Sequence, residues 1–558
     1  MTSIDSASTR SDRTRFTISG PMLLLGIGVL VAFVRVLAVS LPQRIVWGDE
    51  PFYLWLGRNW LTGRGYSFTG YSDIHHTPGY PFLSGIFYLI TGNLELASDI
   101  CYVLFGTLLA IPIYGLAKEM YGRAVGLTSV ALLAIFPAVA TAPALWGTLT
   151  EPPYYFFVYA GLLTALLAMR RETIRLHLLS GVCFGLAYLV RPEAVAYVAA
   201  VAAVLGLVRL SERRLLSRRI LLSLLALAVG FLLLFMPYAF YVYLETGEWM
   251  VSEKAGVTFV TCLGLSEGNT RAFDEATWGL DSTGREVFFF SRESYDVSML
   301  DVIMAYPADF VQLVVRNARR FIASLFSSRL FPYYFLPLIG LAFFQSAWDK
   351  KRLKGELLLI ASLAPVLVFL LFFIQDRYIA TLLPTLVIWL ALGVHQLGQW
   401  LRLSTRNVLA DHPRWADQFS GWASLLPLVA TLLYFLLLQP RMIELYGNIG
   451  SFRPEHKTIG LWMREHIPAD SVVMSRYPAI AFYADMPWEP TANAELDALL
   501  IYARAQHVDY FVLDERETRD LRPQFAALFD TSTISPSLQL VHMDPGAGER
   551  IAIFALNY

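Results

Sequence analysis

The chain has 558 residues, of which 56% are hydrophobic and 16% charged, with a net charge of −1. Soluble domains carry about a quarter charged residues, so this balance points to lipid and away from an ordinary soluble protein, and a charge near zero gives no sign of nucleic-acid binding. Length alone would accommodate roughly three or four soluble domains, but apolar stretches of about 20 residues, enough to cross a bilayer, recur along the chain.

At the N-terminus Arg10, Arg13 and Arg15 precede an apolar run from Pro21 to Leu41. That run is too long for the core of a signal peptide and lacks a small-residue cleavage site, so residues 1–19 are expected to form a cytoplasmic tail before a retained first span. The apolar segments 20–41, 97–117, 124–143, 150–168, 174–190, 193–209, 219–243, 329–347, 355–374, 377–398 and 421–439 predict about eleven transmembrane helices. Every second loop is basic: Lys118 and Arg123; Arg170, Arg171 and Arg175; Arg209, Arg213, Arg214, Arg218 and Arg219; Lys350, Lys351, Arg352 and Lys354; Arg402, Arg406 and Arg414. The positive-inside rule then puts the N-terminus in the cytoplasm and the C-terminus outside, as expected for a multi-pass protein of the plasma (inner) membrane. The three cysteines, Cys101, Cys183 and Cys262, form no CxxC pair and imply neither a disulfide framework nor a cysteine metal site.

Cytoplasmic loops are short, whereas the external regions 42–96, 244–328 and 440–558 are long. The first opens with Trp47-Gly48-Asp49-Glu50-Pro51. Phe52, Trp55, Leu56 and Trp60 follow at the spacing of a helix lying in the interface plane, which Gly63, Gly65 and Gly70 break. Next comes Asp73-Ile74-His75-His76-Thr77-Pro78-Gly79-Tyr80-Pro81, where two prolines favour extended backbone in the residues before them. The apolar stretch 82–90 is too short to span. Residues 20–440 therefore read as a transmembrane domain and 441–558 as an extracytoplasmic α/β domain. Within the latter a helix is expected over Pro454–His466, strands at Ser471–Met474, Val508–Leu513, Leu538–His542 and Arg550–Leu556, and helical segments at 493–506 and 521–529.

Asp49 and Glu50 sit just after the first span, where a partly desolvated carboxylate gains basicity yet stays open to an acceptor hydroxyl. Asp before Pro also favours a helix start, so one carboxylate can cap while the other faces the site. Adjacent histidines in extended chain point apart, so His75 and His76 suit hydrogen bonding or phosphate contact, or a plain loop role, better than metal ligation. Glu151, Arg191 with Glu193, Arg377 with Asp376 and Tyr378, and Lys254 with Glu253 stand at the outer ends of further spans. Singly such charges are interface anchors; ionisable groups near membrane depth collectively tend to face a cavity and pair there. Transfer of a sugar from a membrane-embedded phosphate needs one carboxylate to take the acceptor proton and cations to hold the charge on the departing phosphate. In-line displacement would invert the anomeric centre. These residue types meet each demand.

Asp49-Glu50 with Tyr53, followed by His76-Thr77-Pro78-Gly79-Tyr80-Pro81, resembles the first external loop of GT-C fold integral membrane glycosyltransferases, above all the protein O-mannosyltransferase and lipid A aminoarabinose transferase group. Thr150-Glu151, Arg191-Pro192-Glu193 and Arg377-Tyr378 with Pro384 resemble that superfamily's later landmarks. The likeness covers roughly residues 20–400. It implies a hexosyl- or pentosyltransferase using a polyprenyl-phosphate sugar, with Asp49 as catalytic base and Glu50 as its supporting acid. It further implies that His75, His76, Tyr80, Glu151, Arg191, Lys254, Arg377 and Tyr378 contact the donor phosphate or substrate. Where the aminoarabinose transferases carry an acid–lysine pair before the proline turn, this chain has His75-His76.

The expected partners are a lipid-linked donor, a lipid, glycan or protein acceptor, and membrane lipids, with no nucleic acid. No cofactor is expected, and clustered carboxylates are too few for octahedral ligation of a divalent ion. The alternative, a polytopic lipid or glycan transporter or flippase, would favour related halves and helices interrupted at the midplane; the sequence has no such internal repeat.

Overall fold

In hydrocarbon a backbone N–H or C=O finds no water, so a crossing chain must bond to itself as helix. Each of the eleven apolar segments contains helix in the computed structural model, which describes residues 20–68, 72–211, 217–251, 254–296, 298–344, 347–447, 453–530, 536–545 and 549–558. The tail 1–19 with its arginines, Gly70, Arg213, Arg214 and Glu253 lie outside the described residues.

The principal helices are α1 (Gly20–Val39), then α2 (Glu50–Leu61) and α3 (Gly79–Thr91) within the segment 42–96. They continue with α4 (Leu94–Leu108), α5 (Ala110–Tyr121), α6 (Arg123–Ile135), α7 (Glu151–Arg171), α8 (Ile174–Val190), α9 (Val195–Ser211) and α10 (Arg218–Thr246). The segment 244–328 carries α11 (Lys254–Thr261), α12 (Thr270–Trp278) and the amphipathic α13 (Pro307–Leu325). The remaining apolar helices are α14 (Leu336–Phe344), α15 (Lys350–Ala361), α16 (Leu383–Val408) and α17 (Pro413–Gly447). Among the described residues six helical stretches are long and apolar enough to cross a membrane, and the other expected spans are shorter apolar helices. The stretch holding α16 is the centre of the bundle, 94% buried, whereas the window in α17 is 22% buried and turns most of its surface outward.

Close approach of α8 and α10 depends on two glycines. A Cβ on Gly181 would collide with the Leu227 carbonyl, and one on Gly230 with the Leu178 carbonyl. Small residues at a crossing let helix backbones touch, which substitutes for the hydrophobic drive that lipid does not supply.

The C-terminal domain comprises α18 (Glu455–His466), β1 (Val473–Ser475), α19 (Ala479–Ala484), β2 (Trp488–Pro490), α20 (Leu496–Ala505), β3 (Tyr510–Asp514), α21 (Glu515–Leu521), β4 (Leu538–Asp544) and β5 (Ile551–Leu556). Strand order is β2-β1-β3-β5-β4. β1 runs parallel to β2 and β3; β5 is antiparallel to β3 and β4, with a register shift between Leu540 and His542. Strand β2 was not anticipated, because three residues ending in proline carry too little alternation to register. The helical segment expected at 521–529 is a 3₁₀ helix over Pro523–Phe529, and the helix expected at 493 begins at Leu496. Tyr80, expected extended before Pro81, is helical instead: Pro81 falls in the first turn of α3, where its missing N–H has no partner to lose.

The domain is seated firmly on the bundle. Ile45, Val46, Trp47, Phe52 and Trp55 belong to the same buried cluster as Ile480, Trp488 and Phe511. Glu95, in the first turn of α4, accepts from Lys457 Nζ at 3.0 Å and from the Tyr483 hydroxyl at 2.9 Å, while the Val46 N–H donates to that hydroxyl oxygen at 2.7 Å.

The glycine crossing predicts that Gly181→Ala lowers stability by about 1–3 kcal/mol, the cost of overpacking, read as a lower Tm in detergent. Gly206→Ala, where nothing lies within 4 Å of the added methyl, should not lower it; equal losses in both would contradict the crossing.

Candidate active site

Asp49 and Glu50 are neighbours with opposite environments. Glu50, the first residue of α2, is buried and gripped by Arg44: Nη2 to Oε1 at 2.6 Å and Nη1 to Oε2 at 2.9 Å. Arg44 also donates to Asp99 at 3.1 Å and to the Ser98 hydroxyl at 3.0 Å. The Glu50 N–H donates to the Gly147 carbonyl at 3.0 Å. Gly48 makes this turn feasible, with φ +63° and the Gly147 oxygen only 2.8 Å from where a Cβ would stand. Glu50 is thus held in a buried ion pair, and it is not among the residues that line the cavity Asp49 faces.

Asp49 occupies the N-cap position, yet among the described residues its side chain makes no capping hydrogen bond. Its carboxylate is 40% exposed, lines a cavity of about 920 Å³, and lies 3.5 Å from both Nη atoms of Arg377. Arg377 is held by Gln375 Oε1 at 2.7 Å and donates to the Tyr378 hydroxyl at 3.1 Å. The Tyr378 ring stacks on Phe369 at 4.1 Å and meets two guanidinium groups, Arg377 at 5.0 Å and Arg191 at 5.1 Å.

The loop 72–78 reaches the same cavity through His76. Asp73 accepts from the His76 N–H at 2.8 Å and lies 3.1 Å from its Nδ1. Burial opposes charge on Asp73, but His76 overrides it and holds the carboxyl below its ordinary range. The loop is pinned from outside: Tyr241 donates to the Asp73 carbonyl at 2.9 Å, Tyr238 to that of Ile74 at 3.1 Å, Tyr66 to that of His76 at 2.7 Å, and the Thr77 hydroxyl to that of Val190 at 3.0 Å.

The other expected site residues fall behind this first row. His75 stacks on Phe289 at 4.8 Å. Tyr80 is fully buried, edge-on to Tyr53 at 5.6 Å. Glu151 is fully buried, accepts from the Thr148 hydroxyl and pairs with Arg191 Nη1 at 3.1 Å; Arg191 Nε binds Glu193 at 2.5 Å. Thus Glu151 and Arg191 sit below Tyr378, not on the cavity wall. Lys254 begins α11 in backbone, and its side chain lies outside the described residues.

Sequence reasoning missed the cavity's far wall. Asp274 and Trp278 of α12 face Arg476, Asp514 and Glu517 of the C-terminal domain. Arg476 Nε and Arg522 Nε grip Asp274 at 2.7 and 2.9 Å, and the Arg476 guanidinium lies 4.2 Å from the Trp278 ring centre. Burial opposes charge on Asp274, but the two arginines hold it below the ordinary carboxylate range. Burial pushes Glu517 up to about 8 despite the pull of Arg522 and Arg476. No motif announces these residues, since they lie about 200 positions apart. Arg44 and Asp73 were closer to hand, six residues before Glu50 and three before His76. Among the described residues no group of three or more His, Cys, Asp or Glu side chains is disposed to hold a metal ion.

A polytopic helical bundle capped by a small α/β domain defines the class by its fold, the GT-C architecture of integral membrane proteins. Residues 75–241 match the family model described as dolichyl-phosphate-mannose-protein mannosyltransferase. The structure is similar to that of ArnT from Cupriavidus metallidurans bound to undecaprenyl phosphate, with TM-score 0.55 and 16% identity over 96% of this chain and 97% of that one. It is also similar to the apo oligosaccharyltransferase of Archaeoglobus fulgidus, with TM-score 0.56 and 16% identity over 88% and 70%. The archaeal oligosaccharyltransferase AglB from the same organism, in complex with an inhibitory peptide and a dolichol-phosphate, gives TM-score 0.52 and 15% identity over 89% and 70%. No protein of curated function matches the sequence.

The two acids should separate on substitution. Glu50→Ala leaves Arg44 buried with one partner fewer and should cost about 3 kcal/mol, whereas Asp49→Ala should cost about 1 kcal/mol or less. Melting of both variants in detergent checks this; the reverse order would contradict the assignment.

Proposed function

We propose that the chain is an inverting glycosyltransferase that moves a sugar from a polyprenyl-phosphate donor to an acceptor hydroxyl at the outer face of the membrane. The observation that carries this reading is the Asp49 carboxylate, accessible in the cavity and 3.5 Å from Arg377. The match of residues 75–241 to a mannosyltransferase model, and neighbours whose structures hold undecaprenyl phosphate or dolichol-phosphate, support the same donor chemistry. The alternation of basic and non-basic loops supports a cytoplasmic N-terminus and an external C-terminal domain.

In the proposed reaction Asp49 accepts the proton of the acceptor hydroxyl as its oxygen attacks the anomeric carbon. The bond from that carbon to the phosphate oxygen breaks on the opposite face, so configuration inverts. The departing polyprenyl phosphate carries the bonding pair, and Arg377, the Tyr378 hydroxyl and His76 stabilise its charge. No acid is needed on that side, because a phosphate leaves as an anion. Before donor binds, Arg377 is shared with Asp49; an arriving phosphate competes for the guanidinium and frees the carboxylate to act as base. Arg191, Glu151 and Glu193 position Tyr378 from behind, and Glu50 positions Asp49 through the first turn of α2. His75 and Tyr80 back the loop that presents His76. Lys254 is proposed as a further phosphate partner from the resemblance alone.

Asp49→Asn should lower sugar transfer from a polyprenyl-phosphate hexose or pentose roughly 10³-fold, with donor affinity kept and folding intact. Full activity in that variant removes the proposed base. Arg377→Ala should weaken binding of undecaprenyl phosphate by about tenfold to a hundredfold, the loss of charge-assisted hydrogen bonds, measured by titration in detergent. Unchanged affinity would move the phosphate elsewhere.

A further inference from the structure

The turn that presents Arg377 is short and apolar. Two stretches long and apolar enough to cross a membrane, Lys350–Leu371 and Asp376–Val408, are joined by Phe372, Phe373, Ile374 and Gln375 alone. The first stretch ends in a 3₁₀ helix over Ala364–Leu371, and Phe372 then leaves helical geometry with φ −117° and ψ −96°. The last carbonyls of a helix have no partner within it and need one elsewhere. Here the Phe369 carbonyl accepts from the Phe372 N–H at 3.1 Å. The carbonyls of Leu370 and Phe372 are met by a side chain from another element.

That side chain is Asn317, in the middle of α13 and fully buried. Its Nδ2 donates to the Leu370 carbonyl and to the Phe372 carbonyl, each at 3.0 Å, so both amide hydrogens are used. The chemistry fixes the orientation of the amide, because the opposite one would set Oδ1 against two carbonyl oxygens. Among the described residues Oδ1 is left buried without a hydrogen-bond partner. A buried unpaired acceptor is destabilising, so packing does not account for an amide at this position; its two donors do. The helix that carries it is firmly seated. Arg316 donates to the Ser266 hydroxyl at 3.0 Å and Arg320 to the Leu265 carbonyl at 3.2 Å. The Phe259 ring lies 6.2 Å from Phe310 of α13 and 6.3 Å from Phe372 of the turn.

Beyond Phe372 every residue as far as Tyr378 lines the cavity. The Gln375 carbonyl accepts from the Tyr378 N–H at 3.1 Å and so opens the helical turn that carries Arg377, while the Gln375 side chain holds Arg377 Nε at 2.7 Å. Tyr378 stacks back on Phe369, one residue before Leu370. The segment 369–378 is thus a loop closed by this stack and fastened at Leu370 and Phe372 by one amide. We propose that Asn317 is a positioning residue of the transferase: by holding those two carbonyls it sets where the Arg377 guanidinium and the Tyr378 hydroxyl meet the donor phosphate. The proposal rests on the glycosyltransferase reading above. Asn317 is not itself among the residues that line the cavity and acts through the turn.

The test is a double-mutant cycle on full-length protein in nanodiscs, titrated with undecaprenyl phosphate. Asn317→Leu nearly keeps the volume and removes both donors. It should weaken binding about tenfold in the otherwise unaltered chain. In the Arg377→Ala background, with no guanidinium left to misplace, it should weaken binding by no more than about twofold. Should Asn317→Leu elute as an aggregate, Asn317→Ala carries the same readout; aggregation of both makes Asn317 a folding residue and overturns the proposal. Undiminished binding, or equal losses in the two backgrounds as a general loosening of the bundle would give, overturns the positioning role and leaves the donor reading intact. No binding of undecaprenyl phosphate by the unaltered chain, or binding that Arg377→Ala leaves unchanged, counts against the donor reading and takes the proposal with it.

Discussion

The buried clasp of Arg44 on Glu50 is the constraint on which the working face depends. Removing a carboxylate from water is costly unless it is paired and hydrogen-bonded, so Glu50 is committed to Arg44, and Arg44 to Glu50, Asp99 and Ser98. That commitment orients the first turn of α2, and the Glu50 N–H bond to Gly147 ties the turn to the chain entering α7. With one carboxylate locked inward, its predecessor emerges beside Arg377. Two adjacent acids of similar intrinsic chemistry thus acquire different surroundings from the fold alone.

A second consequence is that the cavity belongs to neither domain. Trp47 and Phe52 from the membrane domain and Ile480 and Trp488 from the C-terminal domain share one apolar cluster. Around it, Lys457 and Tyr483 converge on Glu95. The cavity is bounded on one side by Asp49 and Arg377 and on the other by Arg476 and Glu517. Charged groups on both walls are braced by partners lying behind them: Gln375 for Arg377, Arg191 for Tyr378, Asp274 for Arg476. Bracing of this kind keeps a polar site preorganised, so that little reorganisation is needed when charge develops.

Much of the architecture was legible in the sequence because a bilayer leaves few options. Apolar length marks the helices, and the loops of alternating charge suggest their order across the membrane. The helix at α2 and four of five strands followed from periodicity and length, whereas the apolar stretch 82–90, read only as too short to span, forms most of α3. The unforeseen β2 is only three residues long. Tyr80 went astray because the rule for residues before proline yields inside a helix's first turn.

For the site, sequence by itself determined that acids and cations collect at the ends of several apolar spans, and that Asp49-Glu50 leads them, since charge in a hydrophobic chain is conspicuous by position. Only the tertiary structure decided which acid faces the cavity, because that choice is made by Arg44 and Gly147, one six residues and the other about a hundred residues from Glu50. It likewise withdrew Glu151 and Arg191 behind Tyr378 and brought Asp274, Arg476 and Glu517 together from segments about 200 residues apart. Local patterning reports what a residue can do in one helix or strand; ion pairing across folded elements depends on distance in space, on which the order of residues along the chain is silent.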